Sequence, residues 1–203
     1  MRYPKFYDDV ETITLYDPLS EVLGSFEKGI IEFCYLNSVQ SAGHSCPTVA
    51  GAYLMTLKAL QALYPDTMPV RGAIHVAFAQ ADNEGVSGVI ANVISNITGA
   101  TERTGFKGLG GKFARHSLMA FHQNISASAR FTRTDTQQSV DVFYDPSSVQ
   151  ADGDISQMQS LMGRALQGDA EAIQSFGVMW QSRVKKILID NINNEEVIKS
   201  VEI

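Results

Sequence analysis

The sequence predicts an α+β fold: a mixed or antiparallel sheet packed by helices, with a helical C-terminal extension. Three observations carry that expectation. Strand-like and helix-like apolar patterns alternate through the first half of the chain, two adjacent strand-like runs then flank the polar turn Thr134-Asp135-Thr136-Gln137, and helical spacing returns after Asp145-Pro146. Residues 1–145 are accordingly expected to form the core. Residues 146–203 are expected to form an extension packed on that core or on a second subunit.

Taken in order, Asp17-Pro18-Leu19-Ser20 is a helix-start signal, and Leu19, Val22, Leu23 and Phe26 carry the helix to about Phe26. The β-branched and aromatic run 30–36 predicts a strand on which Glu32, Cys34 and Leu36 share a face, so Cys34 reads as a core-facing residue. Val49, Tyr53, Leu57 and Leu60 predict a helix over 47–64, closed by Pro65. Ile74, Val76 and Phe78 then alternate with His75 and Ala77 in a strand over 71–78, with His75 on the face away from the large apolar residues. The polar loop 80–85 leads to a helix over 86–97 striped by Val89, Ile90, Val93 and Ile97, stopped at Gly99. In that loop Asp82 and Glu84 read as helix-capping carboxylates, with ligand or acid/base roles as the alternative. Residues 113–123 read as extended, and 127–132 with 140–144 as a hairpin. Asp154 starts a helix to about Gln167, Gly168 breaks it, and Asp169 caps a last helix carrying Ile173, Phe176, Trp180, Val184, Ile187 and Leu188. A short charged tail with Val197 and Val201 follows.

Composition narrows the function. A hydrophobic content of 44% with 19% charged residues is globular, and a net charge of -6 offers no general attraction for nucleic acid or anionic lipid. No apolar run reaches the ~18 residues of a membrane helix, and the charged, Pro4-containing start is no secretory signal. Cys34 and Cys46 make no disulfide framework, so a cytoplasmic, reducing setting is expected. In that setting the sequons at Asn96 and Asn124 are chance matches.

Chemistry concentrates at Ser41-Ala42-Gly43-His44-Ser45-Cys46-Pro47, the one place where a thiol, an imidazole and a helix start coincide. Proline suits the first helical position, which puts Cys46 at or beside the N-cap. Free N–H groups and the positive end of the helix dipole favour an anion there, and thiolate is both the nucleophilic and the metal-binding form. With His44 two residues earlier, the pair is a zinc-type donor set, though only half of a tetrahedral one. The glycine-rich stretch Gly105-Phe106-Lys107-Gly108-Leu109-Gly110-Gly111-Lys112 lacks the hydroxyl residue that ends a phosphate loop, Phe113 standing in its place. It implies instead a close backbone approach to a ligand or to another chain.

Gly43-His44-Ser45-Cys46-Pro47, a helix, a strand, a second helix ending in Thr98-Gly99-Ala100-Thr101, and the glycine- and lysine-containing loop occur in an order that resembles the core of the formylmethanofuran dehydrogenase (FmdE-like) family, over roughly residues 33–121. The resemblance implies an α+β core, an associated metal, often zinc, and a homodimer. It carries over to His44 and Cys46 as metal ligands. The chain departs from the family where a cysteine and an aspartate are typical in the second helix, having Val89 or a neighbour and Asn92. Ala100 replaces a cysteine, and no cysteine follows Cys46 to make a zinc ribbon.

Three expectations follow. The first is a divalent-metal site on His44 and Cys46, completed by His75, His116, His122, Asp82 or water, with Asp82 or Glu84 moving a proton if the metal keeps an open position. The second is metal-free thiol catalysis by Cys46 with His44 as base. The third is a non-catalytic binding or assembly module, in which the glycine-rich loop and the Trp180 helix make a subunit interface and Cys46 merely caps its helix. As partners, a small-molecule ligand is a candidate, and neither nucleic acid nor membrane is expected.

Overall fold

The computed structural model describes residues 2–203. Its main sheet has five strands in the order β4-β3-β5-β6-β7: β3 (Ile74–Ala77), β4 (Met119–Ala120), β5 (Ala129–Arg133), β6 (Ser139–Tyr144) and β7 (Ile198–Glu202). Only the β3–β4 pair is parallel. A separate antiparallel pair joins β1 (Ile13–Tyr16) to β2 (Ile30–Phe33). The α-helices are α1 (Pro18–Val22), α2 (Tyr35–Ala42), α3 (Pro47–Leu63), α4 (Ser87–Thr98), α5 (Ile155–Leu166) and α6 (Ala170–Lys185), the last running on into a π-helical turn Lys186–Asp190. The expected α+β class is what the chain adopts.

α3 is the centre because it is apolar almost all round. A helix of that kind must be covered on every side. It lies on β5, β6 and β7 with one flank and against α2 and α4 with the other. Val49, Tyr53, Leu57 and Leu60 are buried as the spacing predicted, together with Leu54, Met55 and Leu63 from the flanks between them. Pleat alternation sends Ile74, Val76, Phe131, Val140 and Val142 into the same core, while His75, Thr132 and Ser139 share the other face of the sheet.

Several expected elements differ. The first helix stops at Val22, and Gly24 in the left-handed region follows, so Val22, Leu23 and Phe26 are exposed rather than core. The strand expected over 30–36 ends at Phe33. Cys34 is the N-cap of α2, with Asn37 Oδ1 accepting from its backbone N–H at 2.8 Å, so Cys34 is no strand residue. Val89 is exposed, and Ala91 and Ile94 take the core side of α4. Residues 113–123 are not one extended run: Phe113, Ser117 and His122 adopt positive φ and only Met119 and Ala120 pair as a strand. The charged tail contributes β7, which pairs with β6 from Val140 to Tyr144, so the C-terminal segment both carries helices and completes the sheet.

A buried ion cluster ties the β1–β2 unit to the rest. Asp17 caps α1 through Leu19 N and Ser20 N, and it accepts from Arg71 at 3.0 Å and Arg115 at 2.7 Å. A side chain on Gly72 would collide with the Arg115 guanidinium, only 1.5 Å from the ideal Cβ position, so this glycine makes room for the cluster.

Candidate functional site

The expected turn is present and its N-cap is Cys46. Gly43 takes the left-handed conformation that ends α2, and four residues later Pro47 begins α3. The Cys46 sulfur accepts from Val49 N–H at 3.5 Å, in the position of a capping oxygen. His44 is exposed, and its ring nitrogen Nδ1 lies 3.0 Å from the Ala42 carbonyl; no hydrogen bond joins it to Cys46.

Ser45, between them, is the buried member. Its hydroxyl donates to Gln181 Oε1 at 3.1 Å, which leaves Tyr35, 2.9 Å away, to donate its hydroxyl proton to Ser45 Oγ. Trp180 Nε1 and Gln181 Nε2 donate to the Ser45 carbonyl at 2.9 and 3.3 Å, and Tyr7 donates to Gln181 Oε1 at 3.1 Å. Burial holds the Tyr35 hydroxyl far above its ordinary pKa, so it is a permanent donor. α6 thereby clasps the His44–Cys46 turn from outside, and a column of tyrosines, Tyr7, Tyr35 and Tyr53, packs edge to face beneath it.

On the other side of Pro47 opens a cleft of about 430 Å³. Its floor is Met55, Phe78 and Ile90, and its polar rim is Thr48, Gln80, Ser87, Ser126, Ser128 and Tyr144. No Asp, Glu, Lys, Arg or His lines it. Tyr144 sets the wall by donating to the Pro47 carbonyl at 2.7 Å. Its hydroxyl is also pushed far up, by burial first and by neighbouring Cys46 and Asp145 besides, although Arg183 opposes them. Gly51 is what admits that ring, since a Cβ there would lie 2.1 Å from a ring carbon. A glycine one turn into an otherwise apolar helix was the sequence signal for a close approach; the cleft itself had none.

The remaining candidate ligands do not converge on the turn. His75 sits on the sheet face away from α3, half-buried, with its pKa lowered by that burial. His116 contacts the Ser117 hydroxyl, and His122 is exposed beyond β4. Among the described residues no three His, Cys, Asp or Glu side chains form a group able to hold a metal. The donor set within one chain is therefore the pair His44 and Cys46, which does not complete a tetrahedral shell. Neither loop carboxylate caps α4: Val86 is its N-cap, Glu84 accepts instead from Ala81 N–H at 3.2 Å, and the Ser87 hydroxyl donates to the Ala81 carbonyl. The glycine-rich stretch folds into a tight turn, with Leu109 and Lys112 exchanging backbone hydrogen bonds of 2.8 and 3.0 Å, and no residue of it lines the cleft. Among the described residues no helix is long and apolar enough to cross a membrane.

No known protein-family model matches the chain, and no curated protein matches it. Fold and site define the class: an α+β protein whose central helix carries a clasped thiol turn at its head and an uncharged cleft beside it.

Proposed function

We propose that the chain is a binding protein for an uncharged small organic molecule, held in the cleft at the head of α3 with the His44–Cys46 turn behind its wall. The observation that carries this reading is the lining: about 430 Å³, an apolar floor, a ring of hydroxyls and one amide, and no ionisable group apart from the neutral Tyr144 phenol. Small-molecule sites span roughly 300–1,000 Å³ and combine mostly apolar walls with a few fixed polar groups. A ligand carrying full charge would shed its hydration without meeting a counter-charge, so neutral molecules are selected.

Ser126 stands at the exposed rim, and Ser126→Trp fills the mouth without touching the core. Ligand-observed NMR against a library of neutral fragments is expected to give hits with the native chain and with Cys46→Ala, and none with Ser126→Trp. Hits that persist in Ser126→Trp, or no hits with the native chain, overturn the reading.

A second reading, divalent metal on His44 and Cys46, has one observation in its favour. The Ala42 carbonyl engages Nδ1 of His44, the arrangement by which outer groups orient a ligating imidazole and leave Nε2 free. The remaining ligands would have to come from outside the chain. Elemental analysis of the purified protein beside Cys46→Ala decides it: stoichiometric zinc lost in the variant supports this reading, and equal metal content in both removes it.

A further inference from the structure

We propose that the glycine-rich hairpin 103–112, together with the turn after α1, is a docking surface for an anionic membrane, on which the folded chain lies without crossing it. The hairpin is closed at its base by Arg115 N–H donating to the Phe106 carbonyl at 2.9 Å, and at its tip by the Leu109–Lys112 pair. Between that pair Gly110 and Gly111 both take positive φ, as a two-residue type I′ turn requires. A Cβ built on either glycine meets nothing within 4 Å, so the tip projects into open space. Beside it Phe106 and Leu109 are 45% and 51% exposed.

Charge selects the partner. No Asp or Glu occurs between Glu102 and Asp135, although the chain holds 22 of them. Lys107 Nζ donates only to the neutral Arg103 carbonyl, and among the described residues no carboxylate pairs with Lys107 or Lys112. Arg103 keeps a loose 3.9 Å contact with exposed Glu102. The net charge of -6 opposes general adsorption, yet exposed charges farther apart than a Debye length of about 8 Å are screened at physiological salt. An anionic surface therefore meets the hairpin as a local cation. Lysines at headgroup depth beside a leucine and a phenylalanine that enter the interface make an anchor of this kind.

A second exposed apolar turn starts from the same place. Asp17 accepts from Arg115, the residue that closes the hairpin, and its own N–H donates to the Gly29 carbonyl at 2.7 Å. Residues 17–29 are thus a loop closed on that ion pair, with Val22, Leu23 and Phe26 exposed at its far end. The five residues of α1 span about 8 Å, and the three from Arg115 to Lys112 about 10 Å, so both tips stand close to the pair that joins them. Glu21 accepts from the Tyr16 hydroxyl and Glu27 is followed by Lys28, so this loop adds apolar area rather than positive charge. A bilayer interface takes two separate convex turns at once. A nucleic-acid strand would engage Phe106 and the lysines but leave Leu109, Val22 and Leu23 in water, and a pocket in an acidic protein would cover one turn and leave the other.

Co-sedimentation of the full chain with phosphatidylcholine vesicles carrying about a quarter phosphatidylserine tests this, with pure phosphatidylcholine beside it. Binding is expected to the first and severalfold weaker binding to the second. The double variant Lys107→Gln, Lys112→Gln should weaken it about 25-fold, at roughly fivefold per lysine. Leu109→Asp and Leu23→Asp should each weaken it by about tenfold or more. Leu166→Asp, the same charge change at an exposed leucine of α5, should leave it unchanged. All these side chains are exposed, so circular dichroism spectra should stay native. Equal binding to both vesicle types, native-like binding by the lysine variant or by either turn variant, a Leu166→Asp loss equal to that of Leu109→Asp, or no binding to the mixed vesicles, with or without retention of single-stranded DNA, would each overturn the proposal.

Discussion

Replacing Gly51 by alanine tests the placement of Tyr144, and with it the wall of the cleft. An added Cβ would stand 2.1, 2.4 and 2.5 Å from three ring carbons of Tyr144. Ordinary contact begins near 3.4 Å, so the ring has to retreat by more than 1 Å, and the 2.7 Å bond to the Pro47 carbonyl fails with it. Overpacking of this kind costs about 1–3 kcal/mol, and the broken half-buried bond roughly 1–2 kcal/mol more. Helix propensity works the other way, favouring alanine by about 1 kcal/mol. The net destabilisation is about 1–4 kcal/mol, which for a chain of this size lowers Tm by roughly 2–16 °C. Scanning calorimetry of Gly51→Ala, Tyr144→Ala and the double variant reads it as a cycle. The double variant should lose much less than the sum, because removing the ring removes the collision. A higher Tm for Gly51→Ala alone would mean that propensity governs the position, and would refute the packing argument.

Two further outcomes are expected elsewhere. Burial alone would raise the Asp17 carboxyl pKa, but Arg115, the Ser20 N–H and Arg71 together hold it below the usual value. Its contribution is therefore complete above the unfolded pKa of ~3.9 and lost as pH falls through the lower folded value. Asp17→Asn should flatten that acid limb of a stability–pH curve while costing about 3–5 kcal/mol at neutral pH, because Arg115 is left buried without its counter-charge; an acid limb as steep as the native one would refute this. Gln181→Ala removes two of the hydrogen bonds that clasp Ser45, and with them the Tyr7 bond that steadies the Gln181 amide. Amide exchange across residues 43–46 should accelerate severalfold, whereas unchanged protection there would show that Trp180 alone holds the turn.

Much of this fold was legible because local signals and burial agree. Asp154 and Asp169 cap their helices, Gly99 ends α4 in the left-handed region, and the turn after Arg133 returns β6 on β5 as the expected hairpin. The failures have physical causes. Tyr35 and Leu36 fit a strand as well as a helix, and the Cys34–Asn37 cap that decides for α2 is an unusual pairing. β7 carries exposed Lys199, Ser200 and Glu202 as an edge strand, where charge discourages pairing with a further chain, and in sequence that reads as a solvated tail. The Cys46 N-cap was readable from Pro47, being a matter of adjacent residues. The cleft was not, since its walls come from the head of α3, the end of β3, the start of α4 and residues 126–128 and 144–146. No spacing rule links those.

The two cysteines show how structure separates residues that composition treats alike. Both stand at helix N-caps and both are half-buried. Cys34 donates its S–H to Asn37 Oδ1 at 3.2 Å, so its proton is engaged. Cys46 is an acceptor, taking the Val49 N–H at 3.5 Å. The two sulfurs thus differ in what they bond: Cys34 donates to a side-chain amide oxygen, and Cys46 accepts from a backbone N–H. Limited alkylation at neutral pH followed by peptide mass mapping should label Cys46 severalfold faster than Cys34, and Asn37→Ala should narrow the gap by releasing the Cys34 thiol. Equal rates in the native chain would mean that access, not hydrogen bonding, sets reactivity, and the distinction between the two caps would fall.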